Sequence, residues 1–356
     1  MKKKLLFCSY DLNIGGIENA LINLLNNMDY SKYDITLILE KKQGVFLDKL
    51  NSNVCVKEYK VCSCKNIVFR KFYNLFKKLF WIIFNYHKYD FSCCYATYSL
   101  PCNMLAYYGS KNNLFYIHSN YKYIYDESDL RVFFDIRRIN LYKHIAFVAK
   151  EAMDDLIGFY PNIKNKSVVI NNLIDYQKVI NLSKEKVCYD KKTKYLFVFV
   201  GRLEEHSKRL SRMINVVKKL STVSLLIVGD GPERGMYENM ISDCSRITMV
   251  GAKKNPYPYM NLADYVVLSS DYEGYPVVYS EAIILGKKII STIDVSDDFI
   301  SIPNRFGYIV SKDENKMLSD IKDILKNDKL IQETVDFGKL NSLKVKKLEN
   351  MIDGVI

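Results

Sequence analysis

The sequence predicts an α/β protein made of two Rossmann-like, doubly wound domains. Its 356 residues exceed the usual size of one domain. Short apolar runs alternate along the chain with segments of helical periodicity, as in parallel sheets whose strands are joined by crossover helices. Apolar residues make up 49% and charged residues 26%, which excludes a disordered or fibrous chain.

The apolar runs predict strands in two groups, separated by the polar, Lys-rich stretch 175–194. Because that stretch has no strand pattern, we place the domain boundary near residue 185, giving domains 1–185 and 186–356. Helical spacing after residue 312 predicts terminal helices packed on the second domain. The predicted strands are 5–9, 35–39, 54–58, 91–95, 114–117, 145–149 and 168–171, then 195–200, 225–229, 247–251, 265–269, 288–291 and 307–310.

Charge and cysteine content narrow the function classes. Lys and Arg number 52 against 40 Asp and Glu, a formal charge of +12 that favours an anionic partner. Nine scattered cysteines fit reduced thiols better than a disulfide framework. Asp11 interrupts the N-terminal apolar run, so we interpret the run as a strand and not as a signal peptide. No apolar run is long enough to cross a bilayer, and we expect a cytoplasmic protein.

Ligands of open parallel sheets bind at the carboxyl ends of the strands, so the loops that follow strands hold the candidate chemistry. Arg202 and Lys208 follow the strand at 195–200. A forked guanidinium and a compact ammonium suit a diphosphate. The alternative is a solvated basic loop.

Gly229 and Gly231 follow the next strand and resemble a dinucleotide fingerprint imperfectly. The third glycine comes one place late, and no acidic residue ends the following strand. A nicotinamide site is therefore disfavoured. The alternative is a tight turn that needs small residues.

Residues 265–282 carry the strongest local signal. Glu273 lies in the loop after a strand, Pro276 opens a helix and Glu281 lies just over one turn inside it. Free amides at such a helix start bind anions, and the two carboxylates can accept hydroxyl protons from a ribose or a sugar. Two glutamates at this spacing are alternatively ordinary solvated or helix-end charges.

Two loops of the first half add candidates. Gly15 and Gly16 follow the first strand and let the backbone approach a ligand, or they form an ordinary strand-to-helix turn. His118 directly follows the strand at 114–117 and is functional or structural. Walker, His-Glu-x-x-His and Gly-x-Ser-x-Gly motifs are missing from the sequence, and we expect no catalytic metal.

Together these segments resemble the retaining glycosyltransferase family 4, whose GT-B fold has two Rossmann-like domains facing an interdomain cleft. The resemblance runs over nearly the whole chain and rests on an ordered series of short matches. The matching segments are 15–18, 116–119, 171–175, 200–203 with Lys208, 228–232, 255–260, 263–264 and the Glu273–Glu281 pair.

The resemblance implies an acceptor-binding first domain, 1–185, and a donor-binding second domain, 186–356. The implied catalytic residues are Arg202 and Lys208 on the donor diphosphate, Glu273 on the donor sugar and His118 near the reacting carbon. The implied donor-binding residues are Gly15, Gly16, Gly229, Gly231, Asn255, Pro256, Tyr257, Gly274, Tyr275, Pro276, Val277 and Glu281.

The implied reaction moves a sugar from a nucleotide diphosphate, with uridine as the expected base, to a glycan or lipid-linked acceptor of a surface polysaccharide or lipopolysaccharide. It needs no cofactor and no metal. Front-face attack, with the leaving phosphate helping to deprotonate the acceptor, requires no protein nucleophile. Arg209, Ala149, Tyr279 and Ser280 depart from the family pattern, which affects donor identity more than reaction class.

The segment 59–89 has seven basic and no acidic residues among many aromatics. As a helix it places an apolar stripe opposite Arg70, Lys77, Lys78 and Trp81. These four residues suit a peripheral contact with an anionic membrane on the acceptor side. A core helix with a solvated basic face is the alternative, and no motif accompanies the charge to favour nucleic acid.

Two rival functions remain open at this point. The first is a sugar-nucleotide epimerase on the same fold, although its pattern of carboxylates and histidine is not found. The second is a membrane-bound scaffold without catalysis.

Overall fold

The protein is described from a computed structural model that covers residues 1–13, 15–273, 275–294, 303 and 305–355. The chain divides into two compact units, Met1–Leu173 with Asn341–Ile356, and Ile174–Leu340. The predicted domains, 1–185 and 186–356, differ from these units in two respects. The boundary between the units falls after Leu173 and not near residue 185, and the segment from Asn341 onward belongs to the first unit.

The first unit has a parallel sheet in the order β3-β2-β1-β4-β5-β6-β7. Its strands are β1 Lys3–Ser9, β2 Tyr33–Leu39, β3 Cys55–Glu58, β4 Phe91–Cys94, β5 Asn113–Ile117, β6 His144–Phe147 and β7 Ser167–Val169. Its helices are α1 Gly16–Asn26, α2 Ile67–Asn85, α3 Leu100–Gly109, α4 Glu127–Ile136 and α5 Lys150–Phe159.

The second unit has a parallel sheet in the order β10-β9-β8-β11-β12-β13. Its strands are β8 Tyr195–Val200, β9 Val223–Val228, β10 Ile247–Gly251, β11 Tyr265–Leu268, β12 Lys288–Ser291 and β13 Gly307–Ile309. Its helices are α6 Tyr176–Leu182, α7 Glu205–Lys208, α8 Leu210–Lys218, α9 Arg234–Ile241, α10 Tyr257–Leu262, α11 Val277–Ile284 and α12 Glu314–Asn327, and α13 Phe337–Ile352 begins there.

Every predicted strand is present. The inner strands are buried on both faces, whereas the edge strands β3 and β7 are exposed or half-buried. Each residue of β9 is buried, and Leu5 to Cys8 of β1 are fully inaccessible. Such strands consist of continuous apolar residues without polar alternation, which makes them recognisable in sequence. Separate apolar clusters cover the two faces of the second sheet.

The two differences in unit boundaries have local causes. Helix α6 lies within the predicted linker and packs against α10 and α11 of the second unit. Helix α13 returns to the first unit from Asn341 onward, where the Met351 carbonyl accepts a hydrogen bond from Asn112 Nδ2 at 2.9 Å. Lys344 Nζ also donates to the Asn172 carbonyl at 3.1 Å.

Both sheets reverse their strand order once. In the first unit the reversal lies between β1 and β4, and in the second it lies between β8 and β11. Since all strands within a sheet run parallel, their carboxyl ends share one edge, and the crevice at the reversal is where ligands of this fold class bind. Among the described residues, no helix combines the length and apolar character needed to cross a membrane.

Candidate functional site

The loops on both sides of the reversal in the second sheet carry the predicted cations and one predicted carboxylate. Arg202 and Lys208 follow β8, and Glu273 follows β11. Arg202 is exposed, and its side chain makes no hydrogen bond or ion pair within the described ranges. Its guanidinium is therefore available to an anionic ligand.

Lys208 and Glu273 form an ion pair across this reversal. The side chains are 22% and 11% exposed, so the pair is largely removed from water. Ser270 Oγ also donates to Glu273 Oε1 at 2.7 Å. Both contacts use the same oxygen, so Glu273 Oε2 has no partner in the part of the chain that the structure describes. The pair combines a positioned cation with a free carboxylate oxygen.

A cluster of three side chains holds the Lys208 loop against the Glu273 loop. Asp271 accepts from Arg209 Nε at 2.7 Å and from Arg212 Nη2 at 3.0 Å. Arg212 Nη1 also donates to the Ser269 carbonyl at 2.7 Å. Arg209 has a left-handed backbone, with φ of 47°, a conformation that favours glycine. This explains why glycine suits the position after the lysine, and the contact with Asp271 helps to hold arginine there.

Helix α11 begins beside Glu273 and leaves its first amides uncapped. Pro276 precedes the helix, and no side chain of the described residues caps its amino end. The Tyr279 amide donates to the Pro276 carbonyl at 3.0 Å, whereas the amides of Val277 and Val278 are available to an anion. Tyr275 and Val277 flank Pro276 at this helix start. The predicted donor residue Gly274 lies outside the described residues.

Glu281 is joined to a second predicted donor segment by a hydrogen bond. Tyr257 Oη donates to Glu281 Oε1 at 3.0 Å. Burial raises the pKa of Glu281 to about 7, while the hydrogen bond from Tyr257 opposes part of the shift. Asn255 Oδ1 accepts from the Tyr257 amide at 3.2 Å and so positions the start of α10 after Pro256. The carboxylate can accept hydrogen bonds from a diol once it is deprotonated.

Gly229 and Gly231 allow two loop backbones to approach each other. A Cβ at Gly229 would lie 1.9 Å from the Gly201 carbonyl oxygen, and a Cβ at Gly231 would lie 2.3 Å from the Leu203 carbonyl oxygen. Both glycines are therefore required by backbone packing next to Arg202. This structural requirement is sufficient to explain them, and their predicted contact with the donor stays a prediction.

Gly15 and Gly16 lie at the reversal of the first sheet. A Cβ at Gly15 would lie 2.0 Å from Glu18 Oε2, whereas a Cβ at Gly16 would meet no heavy atom of the described residues within 4 Å. Open space at Gly16 leaves room for a ligand. Burial raises the pKa of the neighbouring Glu18 carboxyl.

His118 follows β5 and is held between two tyrosines. Its ring stacks on Tyr116 with centroids 4.6 Å apart and lies 4.3 Å from the ring of Tyr95. Burial lowers the pKa of His118 to about 3, and the nearby backbone of Tyr95 offsets only part of that shift. Neither ring nitrogen has a hydrogen-bond partner among the described residues. Such orphaned polar atoms are rare, and the lowered pKa keeps the ring neutral near pH 7.

The four residues predicted for the membrane side do not share one exposed face of α2. Trp81 packs inward beside Gly109, and Lys77 Nζ donates to the Lys60 carbonyl at 2.7 Å. Arg70 is half-buried, and Lys78 is exposed. The prediction is corrected here, because the helix packs through the side that carries Trp81. The core alternative is wrong, since no residue of α2 is buried.

Sequence reasoning missed the cluster of Asp271, Arg209 and Arg212 and the bond between Tyr257 and Glu281. Asp271 stood beside the predicted Glu273, and Arg209 was noticed only as a departure from the family pattern. The arginine at a position that favours glycine was the signal that could have identified the cluster. No signal in the sequence joined Tyr257 to Glu281.

Comparison with known families agrees with this geometry. Residues 194–327 match the family model described as glycosyl transferases group 1. This segment is therefore similar to the glycosyl transferases of group 1. It contains the Lys208–Glu273 pair, the start of α11, Glu281 and the cluster around Asp271. The match begins just before β8 and ends with α12.

Curated relatives match parts of the chain. The O-antigen biosynthesis glycosyltransferase WbnH of Escherichia coli is 33% identical over 134 residues, which cover 36% of this chain and 39% of that protein. The N-acetylgalactosamine-N,N'-diacetylbacillosaminyl-diphospho-undecaprenol 4-alpha-N-acetylgalactosaminyltransferase of Campylobacter jejuni is 26% identical over 188 residues, 51% of this chain and 50% of that one. The chain thus spans half or less of the length of these relatives.

Solved structures match the whole chain. HepE of Anabaena, in complex with UDP, superimposes with a TM-score of 0.77 at 15% identity, covering 100% of this chain and 99% of that one. The lipopolysaccharide outer core galactosyltransferase WaaB in its apo form gives a TM-score of 0.69 at 15% identity, covering 99% and 100%. The two Rossmann-like units therefore have the GT-B fold.

Proposed function

We propose that the chain is a retaining, metal-independent glycosyltransferase of surface polysaccharide or lipopolysaccharide biosynthesis. It moves a sugar from a uridine diphosphate donor to a glycan or lipid-linked acceptor. The observation that carries the proposal is the Lys208–Glu273 pair beside the uncapped amino end of α11, with exposed Arg202 on the adjacent loop. The group 1 match, the UDP in the HepE structure and the undecaprenol-linked substrate in the Campylobacter protein's name support it.

The second unit supplies groups of the right charge for a nucleotide diphosphate. Arg202, Lys208 and the amides of Val277 and Val278 bind the phosphates. Glu281 accepts hydrogen bonds from the ribose hydroxyls, and the free Oε2 of Glu273 accepts one from the donor sugar. Positive groups fixed before the reaction stabilise charge as it develops on the leaving diphosphate, and one such group contributes about 3 to 4 kcal/mol.

The transfer needs no protein nucleophile. The bond between the anomeric carbon and the diphosphate oxygen breaks, and the acceptor oxygen forms a new bond to the same face of that carbon. The acceptor proton passes to an oxygen of the departing diphosphate. Arg202 and Lys208 balance the charge on that leaving group. His118 is assigned to a donor-sugar hydroxyl, and because its pKa is about 3 it stays neutral through the physiological range.

The proposal is tested by incubating the protein with uridine, guanosine and adenosine diphosphate sugars together with lipid extracts, followed by mass spectrometry of products. EDTA is present in one arm. A product one hexose or N-acetylhexosamine heavier, formed from a uridine donor with and without EDTA, is expected. Nuclear magnetic resonance of the product gives the anomeric configuration. Inversion of the anomeric configuration would contradict the retaining mechanism, and loss of activity in EDTA would contradict metal independence. The lack of a product with every donor would contradict the transfer reaction itself.

A further inference from the structure

The nine cysteines of the chain are free thiols, and their surroundings differ widely. Cys8, Cys93 and Cys94 are fully inaccessible, and burial raises the pKa of each of these thiols. Buried thiols of this kind behave as small apolar side chains and are chemically inert. Cys62 and Cys64 are instead half-buried, and a single residue separates them. This pair therefore combines proximity in the chain with access to solvent.

The backbone on both sides of the pair is held on helix α2. Asn74 exchanges two hydrogen bonds with the Cys62 backbone, accepting at 2.9 Å and donating at 3.1 Å. Two residues beyond Cys64, Asn66 caps the amino end of the helix by accepting from the Phe69 amide at 3.0 Å. Because both ends of this short segment are fixed, the two cysteine side chains are kept near each other in the folded chain.

The contacts between the two cysteines activate the Cys62 thiol. The Cys64 amide and the Cys64 thiol donate hydrogen bonds to the Cys62 sulfur and lower the pKa of its thiol, and the positive charge of Arg70 acts in the same direction. A thiolate is the nucleophile in exchange with a disulfide, and a second thiol within reach can then resolve the mixed disulfide. The geometry supplies both partners of such a reaction.

The charge of the surrounding segment favours the thiolate as well. Residues 59–89 carry seven Lys or Arg and no Asp or Glu. Reactive cysteines lie in partly exposed, electropositive surroundings of this kind. Cys55 and Cys188 are exposed too, but neither has a second cysteine within two residues along the chain. They serve as single thiols against which the pair can be compared.

We propose that Cys62 and Cys64 form a reversible disulfide by exchange with a low-molecular-weight disulfide. The Cys62 thiolate attacks one sulfur of the external disulfide, whose sulfur–sulfur bond breaks and releases one thiolate. Cys64 gives its proton to solvent and attacks the Cys62 sulfur, which releases the second thiolate. The pair loses two electrons, and the external disulfide gains them. The inference does not depend on the transfer reaction.

Oxidation also changes a contact at the start of α2. In the reduced chain Cys64 Sγ donates to the Asn66 carbonyl at 3.5 Å. The same carbonyl accepts from the Arg70 amide at 3.0 Å, a backbone hydrogen bond of the first turn. A sulfur in a disulfide has no hydrogen to donate, so the bond from Cys64 is lost on oxidation. The redox state of the pair is thereby linked to the amino end of the helix.

The test incubates the full chain in buffers with different ratios of reduced to oxidised glutathione, followed by alkylation with N-ethylmaleimide, trypsin digestion and mass spectrometry. Trypsin cleaves after Lys60 and Lys65, so the peptide 61–65 contains both cysteines. In the oxidising buffers this peptide is expected to lose two hydrogens and to carry neither glutathione nor maleimide. Dithiothreitol is expected to restore both thiols. A peptide with two maleimides at every ratio, or with glutathione on each cysteine, would overturn the disulfide.

Single variants separate the roles of the two thiols. Cys64→Ser is expected to stop at a mixed disulfide between Cys62 and glutathione, because no second thiol is left to displace it. In Cys62→Ser, Cys64 is expected to react about tenfold more slowly than Cys62 does in Cys64→Ser. The control Cys188→Ser is expected to form the disulfide as the wild type does. Equal rates in the two single variants would overturn Cys62 as the attacking thiol.

The contribution of the fold is measured by repeating the alkylation in urea above the unfolding transition. The folded wild type is expected to react with N-ethylmaleimide about tenfold faster at Cys62 than at Cys188, because hydrogen bonds and Arg70 favour the Cys62 thiolate. In urea these contacts are lost, and the two rates are expected to become similar. The same ratio of rates in the folded and unfolded chains would show that the fold does not activate Cys62 and would overturn the structural basis of the proposal.

Discussion

Two ion pairs lie at opposite edges of the second sheet and are buried to nearly the same extent. Lys208–Glu273 lies beyond the carboxyl ends of the strands, with side chains 22% and 11% exposed. Lys288–Asp328 lies at the amino end of β12, with an N–O distance of 2.7 Å and exposures of 27% and 13%. Their surroundings differ, although their burial does not.

The carboxylate of Asp328 accepts hydrogen bonds from several protein groups. Besides Lys288 it accepts from Tyr265 Oη, from Tyr308 Oη at 2.5 Å and from the Leu330 amide at 2.9 Å. Burial alone would raise the pKa of Asp328, but hydrogen bonds from Lys288 and the two tyrosines lower it to about 2.

Glu273 has only Lys208 and Ser270 as partners among the described residues, and both contact one oxygen. An acid whose donors are all supplied by the protein has a structural role. An acid with a vacant oxygen at a sheet reversal is available for a ligand. The unsatisfied hydrogen-bonding capacity, and not the ion pair itself, distinguishes the proposed active site from the scaffold.

The largest expected effect is a difference in kcat/KM between the alanine variants of Lys208 and Lys288. Lys208→Ala is expected to lower kcat/KM for the donor by about 10² to 10³, because it removes a positive group from the departing diphosphate. Its free energy of unfolding is expected to fall by about 2 kcal/mol, because the largely buried Glu273 is left without its cation.

Lys288→Ala is the matched control for that experiment. It is expected to keep kcat/KM within about threefold and to lose about 2 kcal/mol of stability, because Asp328 is then buried without its cation. Steady-state rates and urea unfolding measure both quantities. Comparable losses of activity in the two variants would show that the ion pair at the carboxyl edge of the second sheet has no special role in the reaction.

The next effect concerns the opposite pKa shifts of Glu281 and Asp328. Glu281, raised to about 7, binds a proton more tightly in the folded state, so its contribution to stability is full below pH 4.5 and is lost as pH rises through 7. The change is at most about 3 kcal/mol. Glu281→Gln is expected to flatten stability between pH 5 and 8 and to abolish any strengthening of UDP binding over that range.

Asp328 provides the contrast in pH dependence. Its lowered pKa stabilises the folded state by about 2 kcal/mol above pH 4, and this stabilisation is lost as pH falls toward 2. Urea midpoints measured from pH 2 to 8 test both signs. A Glu281→Gln profile parallel to that of the wild type between pH 5 and 8 would show that Glu281 has an ordinary pKa.

The smallest expected effect comes from the cluster that positions Lys208. Asp271→Ala releases Arg209 and Arg212 and is expected to lower kcat about tenfold with little change in KM. Asp323→Ala, on the exposed side of α12, is the control. A purely structural role for Asp271 would lower Tm and leave kcat of the folded fraction unchanged, so both are measured at a temperature well below the transition.

The fold was predictable because each strand and helix is specified by a short continuous stretch of the sequence. Buried strands read as apolar runs, and the loops that follow them carried Arg202, Lys208 and Glu273 within a recognisable series of motifs. Three features depend on contacts between distant segments. Helix α13 leaves the second unit to pack on the first, α2 packs through its Trp81 side and exposes its stripe, and Asp271 joins two loops. Periodicity shows that a helix has an apolar face but not where the rest of the protein leaves room for it.

The central claim is that the carboxyl edge of the second sheet binds a nucleotide diphosphate. Isothermal titration of UDP into the wild type, Lys208→Ala and Lys288→Ala, at one pH and salt concentration, tests it most directly. The account predicts binding by the wild type, a Kd at least tenfold higher for Lys208→Ala, and an unchanged Kd for Lys288→Ala. No UDP binding by the folded wild type, or the same Kd for all three proteins, would contradict it.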